Sequence, residues 1–204
     1  MAIGARIGRR PQPAQRPPER PDAIVAAERI ALHYPLLEDY PAWAALRAQS
    51  RDFLTPWEPS WPEDELMRSA FRRRLRLYAR AIRAEEAHPF FVIRHADSRL
   101  LGGLTLSNIR RGVTQSATLG YWIGAPYAGH GYMSEAVRAS LRFCFGRLSL
   151  HRVEAACLPD NAPSRRLLQR CGFHEEGYAR RYIKINGVWQ DHVLFAILES
   201  DTQA

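Results

Sequence analysis

Lysine is almost absent from this sequence: of 29 basic residues only Lys184 is a lysine, and all the others are arginine. Cysteine is scarce as well. Cys144, Cys157 and Cys171 are odd in number, far apart and never in a CxxC pair. That spacing argues against a disulfide framework and against a zinc site, and it leaves buried thiols behaving as small hydrophobes. No run approaches the ~20 apolar residues that a membrane helix needs. The N-terminus is basic, but no apolar segment follows it as in a secretory signal, so the expected compartment is the cytoplasm. Neither a metal nor a membrane partner is expected.

What is present is a chain of 204 residues, 46% of them hydrophobic, enough for one core of ordinary size. The net charge of +8 makes nucleic acid or a ribonucleoprotein surface a plausible neighbour, although a solvated basic surface would look the same. Residues 1–22 are rich in Pro and Arg and poor in large apolar side chains. They read as a flexible tail, because too little surface can be buried to offset the entropy of ordering them. Residues 23–204 form the folded domain.

Within it, 29–36 reads as a first strand. Residues 41–54 have helical spacing, with Trp43, Leu46 and Phe53 as expected core positions. Pro56 and Pro59 then break any helix. A second helix is expected to start near Glu63, Asp64 and Glu65, acids that suit a helix N-terminus. Met67, Phe71, Leu75, Tyr78 and Ile82 fall on its apolar face. Arg68, Arg72, Arg73, Arg76, Arg80 and Arg83 lie mostly elsewhere on it, as a solvated face or a docking surface. Segments 90–94, 100–106 and 118–123 read as strands. A third helix carries Ala136, Val137, Leu141, Phe145 and Leu148 on its apolar stripe. A strand at 152–157, a helix at 162–170 ended by Gly172, and strands at 178–185 and 188–198 around the Asn186-Gly187 turn complete a mixed α/β chain.

The chemistry concentrates after the strand 118–123. There the chain turns through Ala128-Gly129-His130-Gly131-Tyr132-Met133-Ser134 into a helix. The first amides of a helix lack internal acceptors and carry partial positive charge, and small residues let a phosphate approach. The turn is therefore an anion site suited to a pyrophosphate, or else a tight structural bend. A second segment weighs toward the anion: Asn161-Ala162-Pro163-Ser164, then Cys171-Gly172-Phe173 and Glu176-Gly177-Tyr178.

With this pair of motifs the sequence resembles the GCN5-related N-acetyltransferase superfamily over residues 28–199. That family has a Gln/Arg-x-x-Gly-x-Gly/Ala turn followed by an Asn-x-x-Ser…Gly-Phe…Glu-Gly segment. Within it the chain looks most like the ribosomal-protein-alanine N-acetyltransferases, on the strength of 53–59, 119–135 and 178–192. The resemblance implies one mixed, mostly antiparallel sheet of about seven strands, flanked by about four helices and splayed at its central strands. It implies acetyl-CoA as cosubstrate, held by Ala128 through Ser134, by Trp122 and Ile123 on the splayed strand, and by Asn161. It also implies a protein N-terminal amine, alanine first, as acceptor.

Two positions depart from the pattern. Ala128 stands where Gln or Arg is usual, and Met133 where Gly or Ala is usual. Backbone amides do most of the holding in such a turn, so binding is expected to survive both.

Acetyl transfer needs a deprotonated amine, a stabilised oxyanion and a proton for the leaving thiolate. Ser164 is the expected donor to sulfur. Many relatives carry a base Glu on the strand 119–123, and this chain has none there. Glu58 is the candidate substitute, as base or as binder of the substrate ammonium. An α-amine has a pKa near ~8, so a water chain is an alternative to a strong base. Trp57, Asn108 and Tyr121 are candidates for the acceptor pocket. His130 is placed to add charge near phosphate, and His192 to anchor the last strand. Ribosome or RNA contact would fall to the basic tail and the arginine-bearing helix. Two other readings stay open: a small-molecule acceptor (aminoglycoside, polyamine or amino acid), and a non-catalytic acyl-CoA-binding module of the ribosome, which the missing strand Glu favours.

Overall fold

The computed structural model describes residues 23–202. The stretch 1–22, read above as a tail, lies outside the described residues. The chain runs β1 (Val25–Ala26), β2 (Ile30–His33), α1 (Tyr40–Gln49), α2 (Arg51–Leu54), α3 (Arg68–Arg83), β3 (His88–Arg94), β4 (Leu100–Arg110) and β5 (Ser116–Ile123). It continues through α4 (Tyr132–Arg142), β6 (Arg152–Cys157), α5 (Ala162–Arg170), β7 (His174–Ile185) and β8 (Val188–Leu198). The strands form one sheet of order β1-β2-β3-β4-β5-β6-β8-β7, in which only β5 and β6 are parallel. This is the mixed, mostly antiparallel sheet expected, with one more strand and one more helix. The additions are the two-residue β1, too short to show any period in sequence, and α2, the last turn of the expected 41–54 helix split off at Ser50.

The differences have local causes. The first long strand stops at His33 rather than at residue 36, just short of Pro35, which has no N–H for the ladder. Phe53 is 42% exposed, because helical phase breaks at Ser50 between α1 and α2 and puts Leu54 in the core instead. The second long helix starts at Arg68, not near Glu63. Asp64 and Glu65 do not sit on its first turn; they reach forward from a turn to pair with Arg73 and Arg74. Met67 therefore becomes the residue before the helix and is 58% exposed, while Phe71 is fully buried.

Two apolar layers cover the sheet. On one face Leu119, Val153 and Phe195 pack with Met133, Val137 and Leu141 of α4 and Leu168 of α5. On the other, Phe91, Ile93 and Leu100 pack with Trp43 and Leu46 of α1 and Phe71 of α3. The alternation of β5 serves both layers: Leu119, Tyr121 and Ile123 belong to the first and Trp122 to the second.

The sheet is split at its only parallel pair. β5 and β6 are in register at Ser116–Arg152, Ala117–Val153 and Thr118–Glu154, and no further. Past Thr118, β5 stays paired with β4, and β6 with β8 as far as Cys157. The two strands therefore diverge toward their C-terminal ends. The β5 edge facing the gap carries backbone groups with no ladder partner. The helices that follow, α4 and α5, both begin at that open end.

Candidate active site

At the end of β5 the chain turns into α4 through two glycines in the left-handed region, Gly129 at φ 78° and Gly131 at φ 80°. A side chain at either would be strained, so these are positions where glycine is required by backbone conformation. The first bond of α4 runs from the Glu135 N–H to the Gly131 carbonyl, 3.1 Å, which leaves the amides of Tyr132, Met133 and Ser134 without an intrahelical acceptor. Met133 is buried against the core at an ordinary helical position, which explains how it replaces a small residue. His130 turns its Nδ1 back to the Ala128 carbonyl at 2.8 Å.

One cation stands at the turn that sequence spacing did not reveal. Arg29, just before β2, receives the Glu135 carboxylate on its backbone N–H (2.7 Å) and its Nε (2.8 Å). It also donates to the His130 carbonyl at 3.2 Å, and its guanidinium lies 4.8 Å from the Tyr132 ring centre. It thus cancels the negative charge of Glu135 beside the helix amides that lack an acceptor. Residues a hundred positions apart carry no local signal of such a contact.

Across the split, Asn161 caps α5 by accepting the Ser164 N–H at 3.1 Å. Its carboxamide NH₂ makes no hydrogen bond among the described residues. Ser164 Oγ lies 2.7 Å from the Tyr121 hydroxyl, joining α5 to β5. Burial raises the phenol pKa of Tyr121 above its ordinary value, so it stays protonated across the neutral range. Burial likewise raises that of the Cys157 thiol, against a smaller lowering from a hydrogen bond to Ser164. Cys157 is therefore a poor nucleophile.

On the α1/α3 face, a cleft of about 380 Å³ opens over β4 and β5, lined by Gly103, Gly120, Tyr121 and Trp122 below and Glu58, Trp61, Glu65 and Tyr78 above. A Cβ on Gly103 would come within 2.5 Å of Trp122 Nε1, so the indole can lie flat on β4 only because that residue is glycine. The wall is organised by Arg47, which is 6% exposed. Its guanidinium sits between the rings of Trp61 (4.2 Å) and Trp122 (4.9 Å). Both Glu58 oxygens accept from it at 2.7 Å, and Trp61 Nε1 donates to Glu58 at 2.9 Å. Arg47 Nε is buried and finds no partner among the described residues. Glu65 is held by Arg74 at 2.6 Å.

The other named residues disperse. Trp57 does not share the cleft of Glu58 and Tyr121. It lines a second groove of about 580 Å³ with Leu158, Tyr178, Trp189 and Asp191. The β7–β8 turn bridges the two openings, with the Asn186 N–H donating to the Glu58 carbonyl at 3.1 Å. Asn108 lines neither. It sits exposed at φ 50° in an irregularity of the β4–β5 ladder, within 3.4 Å of the Thr118 hydroxyl. His192 is buried in β8 against the Gln190 carbonyl and the Tyr182 ring, in agreement with an anchoring role. No helix among the described residues is long and apolar enough to cross a membrane.

A phosphate-ready helix start beside a split parallel pair defines a class, the acyl-CoA-dependent transferases of mixed α/β fold, and comparison with known proteins makes the class specific. Residues 29–174 match the model of the acetyltransferase (GNAT) domain, and the chain belongs to that family. Acetyl-CoA is its cosubstrate, and it is an N-acetyltransferase. The chain is 38% identical to a probable N-acetyltransferase, YjcK, of Bacillus subtilis over 78% of this chain and 87% of that one. It is 34% identical to the ribosomal protein uS5-alanine N-acetyltransferase of Escherichia coli over 89% and 93%. Among solved structures, Mycobacterium smegmatis RimJ in complex with CoA-disulfide superposes with a TM-score of 0.81 at 31% identity, covering 86% of this chain and 84% of that one. A ribosomal-protein alanine acetyltransferase from Vibrio fischeri gives 0.80 at 29%, covering 86% and 96%.

Proposed function

We propose that this enzyme acetylates the N-terminal amine of a ribosomal protein, with alanine as the first residue, by direct attack within a ternary complex. The observation that carries the chemistry is the 2.7 Å contact between Tyr121 and Ser164 across the split. In this reading the pyrophosphate rests on the amides from Gly129 to Ser134, with Arg29 beside them in place of the side chain that Ala128 lacks. The pantetheine arm pairs with the free edge of β5 near Trp122 and Ile123, and with the Asn161 carboxamide. The thioester then lies in the gap, facing Ser164.

The neutral amine enters from the Trp122 side and attacks the carbonyl carbon. As the C–S bond breaks, Ser164 gives its proton to the departing sulfur and takes one from the Tyr121 phenol, which is restored through water by the proton that the attacking nitrogen loses as the amide forms. The protonated Cys157 supplies no acyl-enzyme route, which favours one direct transfer. Glu58, its charge matched by Arg47 and its carboxylate fixed by Trp61, offers its remaining lone pairs as hydrogen-bond acceptors to the incoming amine. The surplus proton of the ammonium form leaves through water, which an amine of pKa near ~8 permits.

The acceptor class is supported by the uS5-alanine enzyme of E. coli, which is similar over nearly the whole length. It is supported also by the charge balance of the cleft, where Glu58 and Glu65 are each matched by an arginine. A polycationic small molecule would call for unmatched acid there. The cytoplasm is the compartment that this reading implies. Intact-mass spectrometry of ribosomal proteins from cells with and without this chain tests it. A gain of one acetyl group at one N-terminal alanine is expected; unchanged masses throughout would refute the acceptor class.

A further inference from the structure

Nine arginines of the described residues are tied into ion pairs: Arg29, Arg47, Arg73, Arg74, Arg94, Arg99, Arg111, Arg152 and Arg165. Five on α3 are treated differently. Arg68, Arg72, Arg76, Arg80 and Arg83 are all exposed, and none makes an ion pair or a side-chain hydrogen bond among the described residues. Their spacing of four, four, four and three residues sets them in one stripe along the helix, about 6 Å per step and about 22 Å in all. Like charges four apart oppose helix formation, so the stripe does not help α3 fold. The sheet-facing row of Phe71, Leu75, Tyr78 and Ile82 does that work instead.

We propose that this stripe is a docking surface for the phosphate backbone of RNA. Guanidinium groups present a planar fork that matches phosphate oxygens in pairs, and a regular row of them matches a polyanion better than a folded acidic surface. A protein interface gains most from apolar or aromatic anchors at its centre, and the stripe has none. Leu77, 65% exposed, flanks the stripe at its edge, three residues from Arg80, rather than standing at its centre. The position of the stripe gives it a use. Arg74 and Tyr78 of the same helix line the acceptor cleft. RNA lying along α3 would bring a protein N-terminus on the same particle to that cleft. The inference rests on the ribosomal reading for its purpose, but not for its test.

The test is fluorescence anisotropy of a labelled 12-nucleotide RNA with the full chain between 50 and 200 mM KCl. Five single-strand phosphate contacts weaken binding about a hundredfold over that range, and two contacts less than about tenfold. The variant Arg72→Gln/Arg76→Gln/Arg80→Gln is expected to show the shallow dependence and weaker binding at every salt. Arg142→Gln/Arg166→Gln/Arg180→Gln, with the same loss of charge, is expected to bind like the unaltered chain. Equal losses in both variants would overturn the proposal, as would competition by polyglutamate as effective as that by unlabelled RNA. Acetylation of a free alanine-initiated peptide, measured in parallel, is expected to be the same in the unaltered chain and the stripe variant. Absence of peptide acetylation with RNA binding intact would count against the acceptor reading alone.

Discussion

On the proposed reading, the walls at 128–134 and at 58–65 hold the two substrates by different means. The first offers backbone: two glycines in the left-handed region and three helix amides without acceptors. The second offers side chains: a buried guanidinium between two indoles, with a carboxylate fixed to its end. A backbone site tolerates the replacements at Ala128 and Met133, because the amides remain. A side-chain site tolerates little, because Glu58, Trp61 and Trp122 all depend on Arg47. On that reading the donor wall is general to a cofactor, and the acceptor wall is where we propose that specificity resides.

The sharpest way to test that division is to remove the relay that joins the two halves. Ser164→Ala with Tyr121→Phe is expected to lower kcat about 10²–10⁴-fold, the range of general acid catalysis. The acetyl-CoA Kd from titration calorimetry should stay within about twofold. Equal losses in kcat and affinity would make the pair a binding element. Next in size is Arg47→Ala. It strands Glu58 and Trp61 and is expected to cost about 3–5 kcal/mol in urea unfolding, as for a broken buried pair. A surface-like loss of less than ~1 kcal/mol would mean that the wall does not depend on it.

A smaller effect is expected on the donor side. Arg29→Gln removes one partly exposed cation and is expected to raise the KM for acetyl-CoA about fivefold. The KM for S-acetylpantetheine, which lacks the pyrophosphate, should not move. Parallel shifts for both donors would reduce Arg29 to a structural clamp on Glu135.

The smallest effect is in the core, away from both walls. His88 is buried, bonded to Tyr34 at 2.6 Å, and its pKa is lowered by burial and then by Arg147. The unfolded chain takes up this proton first as pH falls. The stabilising contribution of neutral His88 is thus complete above pH ~6.5 and is lost progressively below it. Tm is expected to decline between pH 7 and 5, and to decline less in His88→Gln. The same decline in both would assign it to other groups.

Much of the donor side was legible in the sequence because it is local. A turn followed at once by a helix, and an Asn three residues before a Ser, keep their geometry within a few residues of chain. The Asn161 cap and the two glycines are cases of this. Asn186-Gly187 marked its hairpin for the same reason. The acceptor side was barely legible. Glu58 was singled out, but its partner Arg47 is one of 28 arginines in the chain and has no distinguishing neighbour. Trp57 was grouped with Tyr121, yet the fold turns it into a different groove from its neighbour Glu58.

By itself, then, the sequence determined the class of fold, the glycine turn into α4 and the Asn161–Ser164 helix start, since each is set by backbone preferences a few residues long. Only the tertiary structure decided that Tyr121 meets Ser164 and that Arg29 faces the turn. It alone put Arg47 between Trp61 and Trp122. These contacts join segments from 14 to about a hundred positions apart, and what brings them together is burial on the two faces of a split sheet rather than any local pattern.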